Sequence, residues 1–377
     1  MKKLGLMAIL VALVIAPGTV CAETRLVLLG PAQKEGTGAP RAVVAFGVTV
    51  GKILMVHPRY EFDLSRTPRM IPALSDPSPV VPFVATAGNR FCYVLTRRGK
   101  GSRLARFEPF GDRQEPVVIH LEDLAPAALR ELHSTLFIGE KGKVLAWDVS
   151  KKDARPEVIY QTEKRWDPKK NTDAFALCGD LLVAVDNVMS PKYAFVFRVS
   201  EEGPEFLYTA NLAFGVNSQY FEAAGADGKL AILKRFGHRG GSGESVEFFT
   251  VTEEGIREVR AFGEFYPREG RGAASEARQL VPGDRSSFHG LEFDGNRLLL
   301  GAGKRGLIII PHDSKIKPSN VDLGGNCTDL VKRGPGLFAL VQTADKTTQL
   351  AVLKNTEAEW VVKARHDLAN RAFRFAD

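Results

Sequence analysis

The sequence has few cysteines, and their positions exclude two classes of site. Only 4 of the 377 residues are cysteine, and Cys92, Cys178 and Cys327 lie beyond the N-terminal segment. No two of them form a C-x-x-C pair, so a zinc ribbon and a thioredoxin-like motif are both excluded. These three thiols permit at most one internal disulfide. Each lies near a predicted strand end, where we expect a small, buried apolar residue.

The sequence also lacks helical periodicity and local catalytic signatures. The best helical candidate, LEDLAPAALRELH at 121–133, predicts one or two helical turns in a connection, because Pro126 suits a first turn. No G-x-S-x-G, H-E-x-x-H, P-loop or EF-hand loop is present in the sequence. These absences argue against hydrolases that carry a local motif. They do not exclude enzymes whose sites assemble from distant loops.

The first 22 residues have the pattern of a secretory signal peptide. Lys2 and Lys3 precede an apolar core over 4–15, and Val20-Cys21-Ala22 has the form of a cleavage site. The core is too short for a membrane span, and no later apolar run is long enough for one. We therefore expect a periplasmic or secreted protein without a transmembrane segment in the mature chain. Lipid anchoring at Cys21 is the alternative to cleavage after Ala22.

The charge is mildly basic and is not gathered in one place. The formal net charge is +7, and +5 remains once Lys2 and Lys3 are removed. Basic residues are scattered through glycine-rich stretches at 97–103, 234–241 and 268–271. A nucleic-acid surface needs basic residues on one face together with aromatic stacking platforms. We therefore predict no nucleic-acid partner, and a weak attraction to envelope polyanions is the alternative.

Seven predicted hairpins follow one another along the chain. In each, a short strand ends in a turn containing Gly, Asn or Asp, and a more apolar strand follows. The hairpins occupy 43–56, 83–95, 134–149, 174–186, 220–236, 291–303 and 328–342. Most steps are about 40 to 50 residues, which is typical of a propeller blade. We predict an all-β, monomeric, seven-bladed β-propeller over 23–377, and a six-bladed ring with one irregular blade is the alternative.

Unbroken apolar runs support this fold. Leu298–Leu300 and Leu307–Ile310 show no alternation of apolar and polar residues, although they flank a hairpin turn. A strand buried on both faces has this pattern, and the inner strands of a propeller blade lie between two neighbouring blades. We therefore predict that these runs are the second and third strands of a blade. We expect ring closure to use 24–30 and 359–365.

The same stretch resembles a known repeat. DGNRLLLGAGKRGLIIIP at 294–311 is similar to the LVIVD repeat of secreted bacterial propellers, with Pro311 where the repeat usually has Asp. KVLAWDV at 143–149 contains the Trp-Asp pair of WD repeats, but it occurs once and without the preceding Gly-His. The resemblance implies a propeller and implies no activity, because the LVIVD repeat itself mostly has no defined one.

Residues 237–288 form an insertion rich in Gly, Arg and Glu. We expect 245–251 and 256–262 to be the outer pair of strands in a blade. The remainder, 263–287, is predicted to be a long loop. Loops of this length are either functional lids or disordered.

The candidate chemistry lies where loops enter the innermost strands, because propeller sites assemble at the central channel. Residues at these entries are His133, Ser134, Asn171, Asp173, Asn217, Gln219, Ser287, His289, Asn326 and Asp329. The candidate ligands of a divalent metal, calcium or zinc, are His289, Asp173, Asn217, Asn326, Asp329 and His133. The first two are preferred because each directly precedes a clear inner strand. The alternative is that all of them are ordinary turn residues bonded to their own backbone.

Two functions follow from these features. The preferred one is a non-enzymatic binding or scaffold protein of the bacterial cell envelope, with a protein or carbohydrate partner. Trp166, in the polar segment 163–171, is a candidate contact for that partner. The alternative is a metal-dependent hydrolase similar to the lactonase or phosphotriesterase propellers, which hold a metal through Glu, Asn and Asp. A quinone-cofactor dehydrogenase is disfavoured because its regular Trp repeats and vicinal cysteines are missing.

Overall fold

The computed structural model is all-β over the residues that it describes. These are 24–31, 42–51, 54–63, 85–87, 91–98, 101–110, 117–121, 128–140, 142–151, 154–161, 172–186, 192–213, 218–238, 241–267, 288–312, 316–356, 359–368 and 374–375. Within these ranges the strands form seven four-stranded antiparallel sheets. None of the described residues forms a helix that is long and apolar enough to cross a bilayer.

The sheets are blades of consecutive strands, numbered from the N-terminus. Blade 1 contains β1 (Thr24–Pro31), β2 (Ala42–Val50) and β3 (Leu54–Asp63). Blade 2 contains β4 (Ala85–Ala87), β5 (Cys92–Arg98), β6 (Gly101–Phe107) and β7 (Val117–Leu121). Blade 3 contains β8 (Ala128–Leu132), β9 (Thr135–Glu140), β10 (Lys143–Asp148) and β11 (Glu157–Gln161). Blade 4 contains β12 (Thr172–Cys178), β13 (Leu181–Asp186), β14 (Lys192–Ser200) and β15 (Gly203–Ala213).

The remaining three blades follow the same plan. Blade 5 contains β16 (Ser218–Ala226), β17 (Lys229–His238), β18 (Gly241–Val251) and β19 (Ile256–Pro267). Blade 6 contains β20 (His289–Asp294), β21 (Arg297–Gly301), β22 (Leu307–Pro311) and β23 (Ser319–Val321). Blade 7 contains β24 (Asn326–Arg333), β25 (Gly336–Gln342), β26 (Thr348–Thr356) and β27 (Glu359–Leu368).

The two chain ends share one blade. The C-terminal strand β28 (Arg374–Phe375) pairs with β1, so that Leu28 lies opposite Phe375 and blade 1 reaches four strands. The predicted role of 24–30 in closure is confirmed. The prediction for 359–365 is wrong, because β27 is the outermost strand of blade 7 and pairs with β26. Most of its residues are exposed or half-buried, and Trp360 and Leu368 are buried, as expected for an outer strand.

Each blade has an innermost strand, which is its first strand in blades 2 to 7 and β28 in blade 1. These innermost strands contact one another in succession from β4 through β24 to β28. They also run in the same direction. Near the strand ends, a Cβ added to Gly225 of β16 would lie 2.9 Å from the Sγ atom of Cys178 in β12. Near the strand starts, a Cβ added to Gly290 of β20 would lie 2.9 Å from Oδ1 of Asp329 in β24. The seven sheets are therefore the blades of a β-propeller, which confirms the predicted fold class.

The unbroken apolar runs are explained by packing on both faces. Leu298, Leu299 and Leu300 are each fully buried in β21. Leu298 and Leu300 pack with Phe248 of blade 5, whereas Leu299 packs with Leu337 of blade 7. Burying a leucine side chain stabilises a fold by about 1.5 to 3 kcal/mol, so this strand contributes to two interfaces. The prediction that these runs are second and third strands is confirmed.

Two local predictions are corrected by strand pairing. Residues 128–132 form a strand and not a helix, because Ala128 and Leu129 are buried where they pair with β9. The predicted outer pair of strands in blade 5 is confirmed by β18 and β19. However, β19 continues to Pro267, since residues 263–267 pair with 241–245. Only 268–287 of the predicted loop lies outside the described residues.

Candidate functional site

A β-bulge recurs near the start of the first strand in blades 4 to 7. The residue left out of the pairing is Asp173 in β12, Phe221 in β16, Gly290 in β20 and Thr328 in β24. A bulge bends its strand and redirects the side chains beside it, and bulges are often found at functional sites. We call the end of the ring that carries these bulges the entry face, because the first strands begin there. The first strands end at the opposite face, the exit face.

The predicted metal ligands hold different positions relative to the bulge. Asp173 is the bulged residue of its strand, His289 comes directly before a bulge and Asp329 directly after one. Asn326 lies two residues before the bulge of β24 and pairs with Gln342. Because side chains alternate along a strand, these residues do not form one equivalent set around the channel.

His133 and Ser134 were predicted to lie where the chain enters an innermost strand. They instead follow the end of that strand, β8. They form the turn that connects β8 to β9, so they follow the first strand of blade 3 and face the exit side. Both residues are exposed and have positive φ angles of 47° and 64°. Sequence reasoning took β9 for the first strand because β8 lay inside the segment predicted to be helical.

The remaining candidates cannot be placed. Asn217 and Trp166 lie outside the described residues, as do Asn171 and Ser287. Within the described ranges, no group of three or more His, Cys, Asp or Glu side chains has a metal-binding arrangement. The divalent metal therefore stays a prediction.

Carboxylates at the entry face bond to the backbone of the next blade. The Glu222 side chain of β16 accepts hydrogen bonds from the amide groups of Gly290 (3.1 Å) and Leu291 (3.2 Å) in β20. A bulge takes amide groups out of the regular ladder, and a buried amide without an acceptor is costly. Glu222 therefore provides the acceptor for amide groups that the bulge of β20 takes out of the ladder.

A related contact lies one blade further on, toward the exit face and away from the bulge of β24. The Glu292 side chain of β20 accepts a hydrogen bond from the amide of Lys332 in β24 at 3.1 Å. Between blades 5 and 6, buried Glu244 accepts from the amide of Phe288 at 2.8 Å. We call Glu222, Glu244 and Glu292 the carboxylate latches. Each accepts a hydrogen bond from a backbone amide in the next blade or, for Glu244, directly before that blade.

Sequence reasoning missed the latches, although a signal was present. Glu222 and Glu292 are acids within mostly apolar inner strands, in YFEAAG and GLEFDG. A charged residue there has to be paired or hydrogen-bonded, because its burial is otherwise costly. Asp329, by contrast, was a predicted metal ligand. Its Oδ1 accepts a hydrogen bond from the adjacent amide of Leu330 at 3.0 Å.

Ion pairs join the blades at the exit face. Asp294 contacts Arg297 at 2.6 Å within blade 6 and Lys332 of blade 7 at 3.6 Å. Exposed Arg198 of blade 4 pairs with Glu253 of blade 5 at 2.6 Å. Next to it, the Tyr208 hydroxyl donates to the carbonyl of Thr252 at 2.6 Å.

A buried polar group lies between blades 2 and 3. Burial raises the pKa of Glu131 in β8, and nearby Tyr93 and Arg106 partly offset this effect. Burial and then the Glu131 charge raise the pKa of the fully buried Tyr93 in β5. The Tyr93 hydroxyl and Oε2 of Glu131 have no hydrogen-bond partner of ordinary geometry. The protonation state of Glu131 is therefore linked to the packing of blade 2 against blade 3.

The cysteines are buried, as predicted, and all three are free thiols. Cys92, Cys178 and Cys327 form no disulfide, and all three lie in the core. Burial raises the pKa of Cys178 to about 12 and that of Cys327 to about 12. It also raises the pKa of Cys92. Because the thiolate is the reactive form, these cysteines are unsuited to act as nucleophiles.

Comparison with known proteins identifies the fold and no family. No protein-family model and no curated protein sequence matches the chain. A protein from Lactobacillus plantarum of solved structure has a TM-score of 0.60 at 10% identity, covering 94% of this chain and 99% of that chain. A putative 6-phosphogluconolactonase from Bacteroides fragilis has a TM-score of 0.52 at 14% identity, covering 96% and 100%. Apo AztD from Citrobacter koseri has a TM-score of 0.51 at 8% identity, covering 94% and 97%. These similarities support the propeller fold alone.

Proposed function

We propose that the chain is an exported, non-enzymatic binding or scaffold propeller of the bacterial cell envelope. The observation that carries this proposal is the use of acids to join neighbouring blades. Glu222 and Glu292 accept amide groups of the neighbouring blade, so these carboxylates stabilise the ring. A propeller braced in this way presents its rim and loops as a rigid surface. The signal-peptide pattern of residues 1–22 supports export.

The rim of blades 3 and 4 offers a surface suited to such binding. We call Tyr160, Phe197 and Phe206 the aromatic ledge. Tyr160 of β11 stacks on Phe206 of β15 with ring centroids 4.7 Å apart, and buried Phe197 meets Phe206 edge to face at 5.6 Å. Phe206 remains 40% exposed, and the Tyr160 hydroxyl lies 3.3 Å from Thr209 Oγ1. Rigid aromatic rings beside hydroxyl groups suit contact with a carbohydrate or a protein.

The test compares two substitutions at exposed apolar positions. Phe206→Ser removes the open ring of the aromatic ledge, whereas Val158→Ser changes a residue that is 50% exposed on β11 and outside the ledge. Binding of the mature protein to arrayed envelope polysaccharides and to purified envelope proteins is measured for each variant. We expect a ligand whose affinity falls about tenfold in Phe206→Ser, since an aromatic contact contributes about 0.5 to 1.5 kcal/mol. Equal binding by both variants would place the interface elsewhere.

A metal-dependent hydrolase is the second candidate function. It is favoured by one observation: the similarity to the putative 6-phosphogluconolactonase extends over 96% of this chain and 100% of that chain. His289 and Asp329, which flank bulges at the entry face, would be among the ligands. Metal analysis of the natively purified mature protein tests this candidate. About one tightly held ion per chain would favour it, and a metal-free protein would exclude it.

A further inference from the structure

A basic seam lies between blades 5 and 6 at the exit face. Three groups that can carry positive charge converge there from separate elements. Lys229 begins β17, Arg260 lies in β19 and His312 directly follows β22. We call these three residues the basic seam.

Buried Phe248 holds two members of the seam in place. The Arg260 guanidinium carbon lies 5.1 Å from the centroid of the Phe248 ring. The His312 ring meets the same phenyl ring edge to face, with centroids 6.3 Å apart. Phe248 is fully buried and packs with Leu298 and Ile310 of blade 6, so this base is rigid.

The third member is oriented by the turn of blade 6. The Lys229 ammonium group donates to the carbonyl of Gly295 at 3.3 Å, which uses one of its three N–H bonds. In the same turn, the carbonyl of Asn296 accepts the amide of His312 at 2.7 Å. Lys229 and His312 are thus attached to adjacent carbonyls of a two-residue turn.

Two observations point to a negatively charged occupant. The Nε2 atom of His312 is buried and has no hydrogen-bond partner. The imidazole also lies in a positive field. Burial, then Lys229, then Arg260 lower the pKa of His312. An oxyanion beside His312 would accept a hydrogen bond from Nε2 and be attracted by both cations.

We infer that the basic seam binds a small oxyanion, a phosphate or carboxylate group, through Lys229, Arg260 and His312. Arginine and lysine supply positive charge, and histidine supplies a single directed donor. The ligand lies on the exit face, away from the bulges. This inference does not depend on the proposed function.

The test uses inorganic phosphate and acetate as separate probes. Each is titrated into the full mature protein by calorimetry, and the Nε2 resonance of His312 is followed by NMR. We expect one of the probes to bind and to shift this resonance. Lys229→Met and His312→Ala should each weaken binding at least tenfold. Arg257→Gln, on the same strand as Arg260 but exposed, should bind within twofold of the wild type.

The outcomes separate an ion site from a structural role. Absence of binding by both probes would overturn the inference, as would equal weakening by Arg257→Gln. Thermal unfolding checks that each variant is folded. If a variant does not fold, the His312 resonance of the wild-type protein still decides, because an unchanged resonance at saturating probe excludes the contact.

Discussion

At the scale of single residues, the turns between first and second strands show how a side chain restricts the backbone φ angle. Gly179, Gly228, Gly295 and Gly334 occupy positive φ angles of 56° to 72° in four of these turns. In blade 3, His133 and Ser134 occupy the same region without being glycine. An L-residue in the left-handed region costs roughly 1 to 2 kcal/mol, so this turn is strained in comparison with the others.

Ser134→Gly is therefore expected to stabilise the protein. The gain should be about 0.5 to 1 kcal/mol, because relief of the positive φ angle exceeds the extra flexibility of glycine in the unfolded chain. The free energy of unfolding is measured by urea titration. Gly179→Ala is the matched control, and it should lose about 1 kcal/mol in the equivalent turn. A loss of stability in Ser134→Gly would contradict the account.

Glu131 gives a prediction of pH dependence. Its folded-state pKa is raised by burial, so the native chain keeps a proton over a pH range in which the unfolded chain has released it. The contribution of this group to stability therefore falls as pH rises through the unfolded-state pKa toward the folded-state value. Glu131→Gln should remove that fall, and the wild type should lose stability relative to the variant as pH rises above the ordinary glutamate pKa of about 4.3.

Urea titrations of both proteins at several pH values measure this difference. Glu157→Gln, at an exposed position in blade 3, controls for the loss of one negative charge. A difference between wild type and Glu131→Gln that grows in the opposite direction would show that ionised Glu131 is stabilised in the fold.

At the scale of strands, the bulge of β20 and the Glu222 latch form one device. A first strand has a ladder partner on one side only, and its bulge takes further amide groups out of the ladder. Glu222 satisfies two of these amides across the blade interface. Gly290 is required at the bulge of β20, since its φ is +73° and a Cβ would lie 2.6 Å from the amide nitrogen of Leu330.

Glu222→Ala should destabilise the ring at this interface. The amides of Gly290 and Leu291 would lose their acceptor, which costs about 1 to 3 kcal/mol for a buried group. Thermal unfolding measures the effect, and Glu258→Ala at an exposed position of β19 is the control. Equal stability of the two variants would show that water replaces the carboxylate without cost.

The strand pattern also shows what the sequence could predict. Continuous apolar runs such as Leu298–Leu300 identify strands buried on both faces, and the lack of helical periodicity between them favours a propeller over an α/β sheet. The β8 strand was missed since ALREL has the composition of a helix, and only its pairing with β9 makes it extended. The latch acids stand out in apolar strands, but their partners are backbone amides of another blade, and no sequence pattern encodes that pairing.

At the scale of the whole molecule, the ring depends on a short joint between the chain ends. Within the part of the chain that the structure describes, Leu28 and Leu29 pair with Phe375 and Arg374 of β28. The sequence predicted the N-terminal half of this joint and placed the C-terminal half in β27. A strand of two residues is too short to show the alternation of apolar and polar residues, so the sequence could not predict closure by β28.

Removal of the joint is expected to open the ring. A chain that ends at Leu368 leaves β1 as an unpaired edge, and exposed edges promote association. We expect a lower unfolding midpoint and concentration-dependent oligomers by size-exclusion chromatography. A chain that ends at Phe375 keeps β28 and should behave as the full mature protein does. An unchanged midpoint after truncation at Leu368 would show that the ring closes by other contacts.

The central claim is that Glu222 and Glu292 hold neighbouring blades together through backbone amide groups. Amide hydrogen exchange at Gly290, Leu291 and Lys332 tests this most directly, measured in the mature protein after chelation and again with added calcium or zinc. The account predicts slow exchange at all three amides, with rates that the metal does not change. Faster exchange on addition of metal would contradict it, because the carboxylates would then have left the amides to bind the ion.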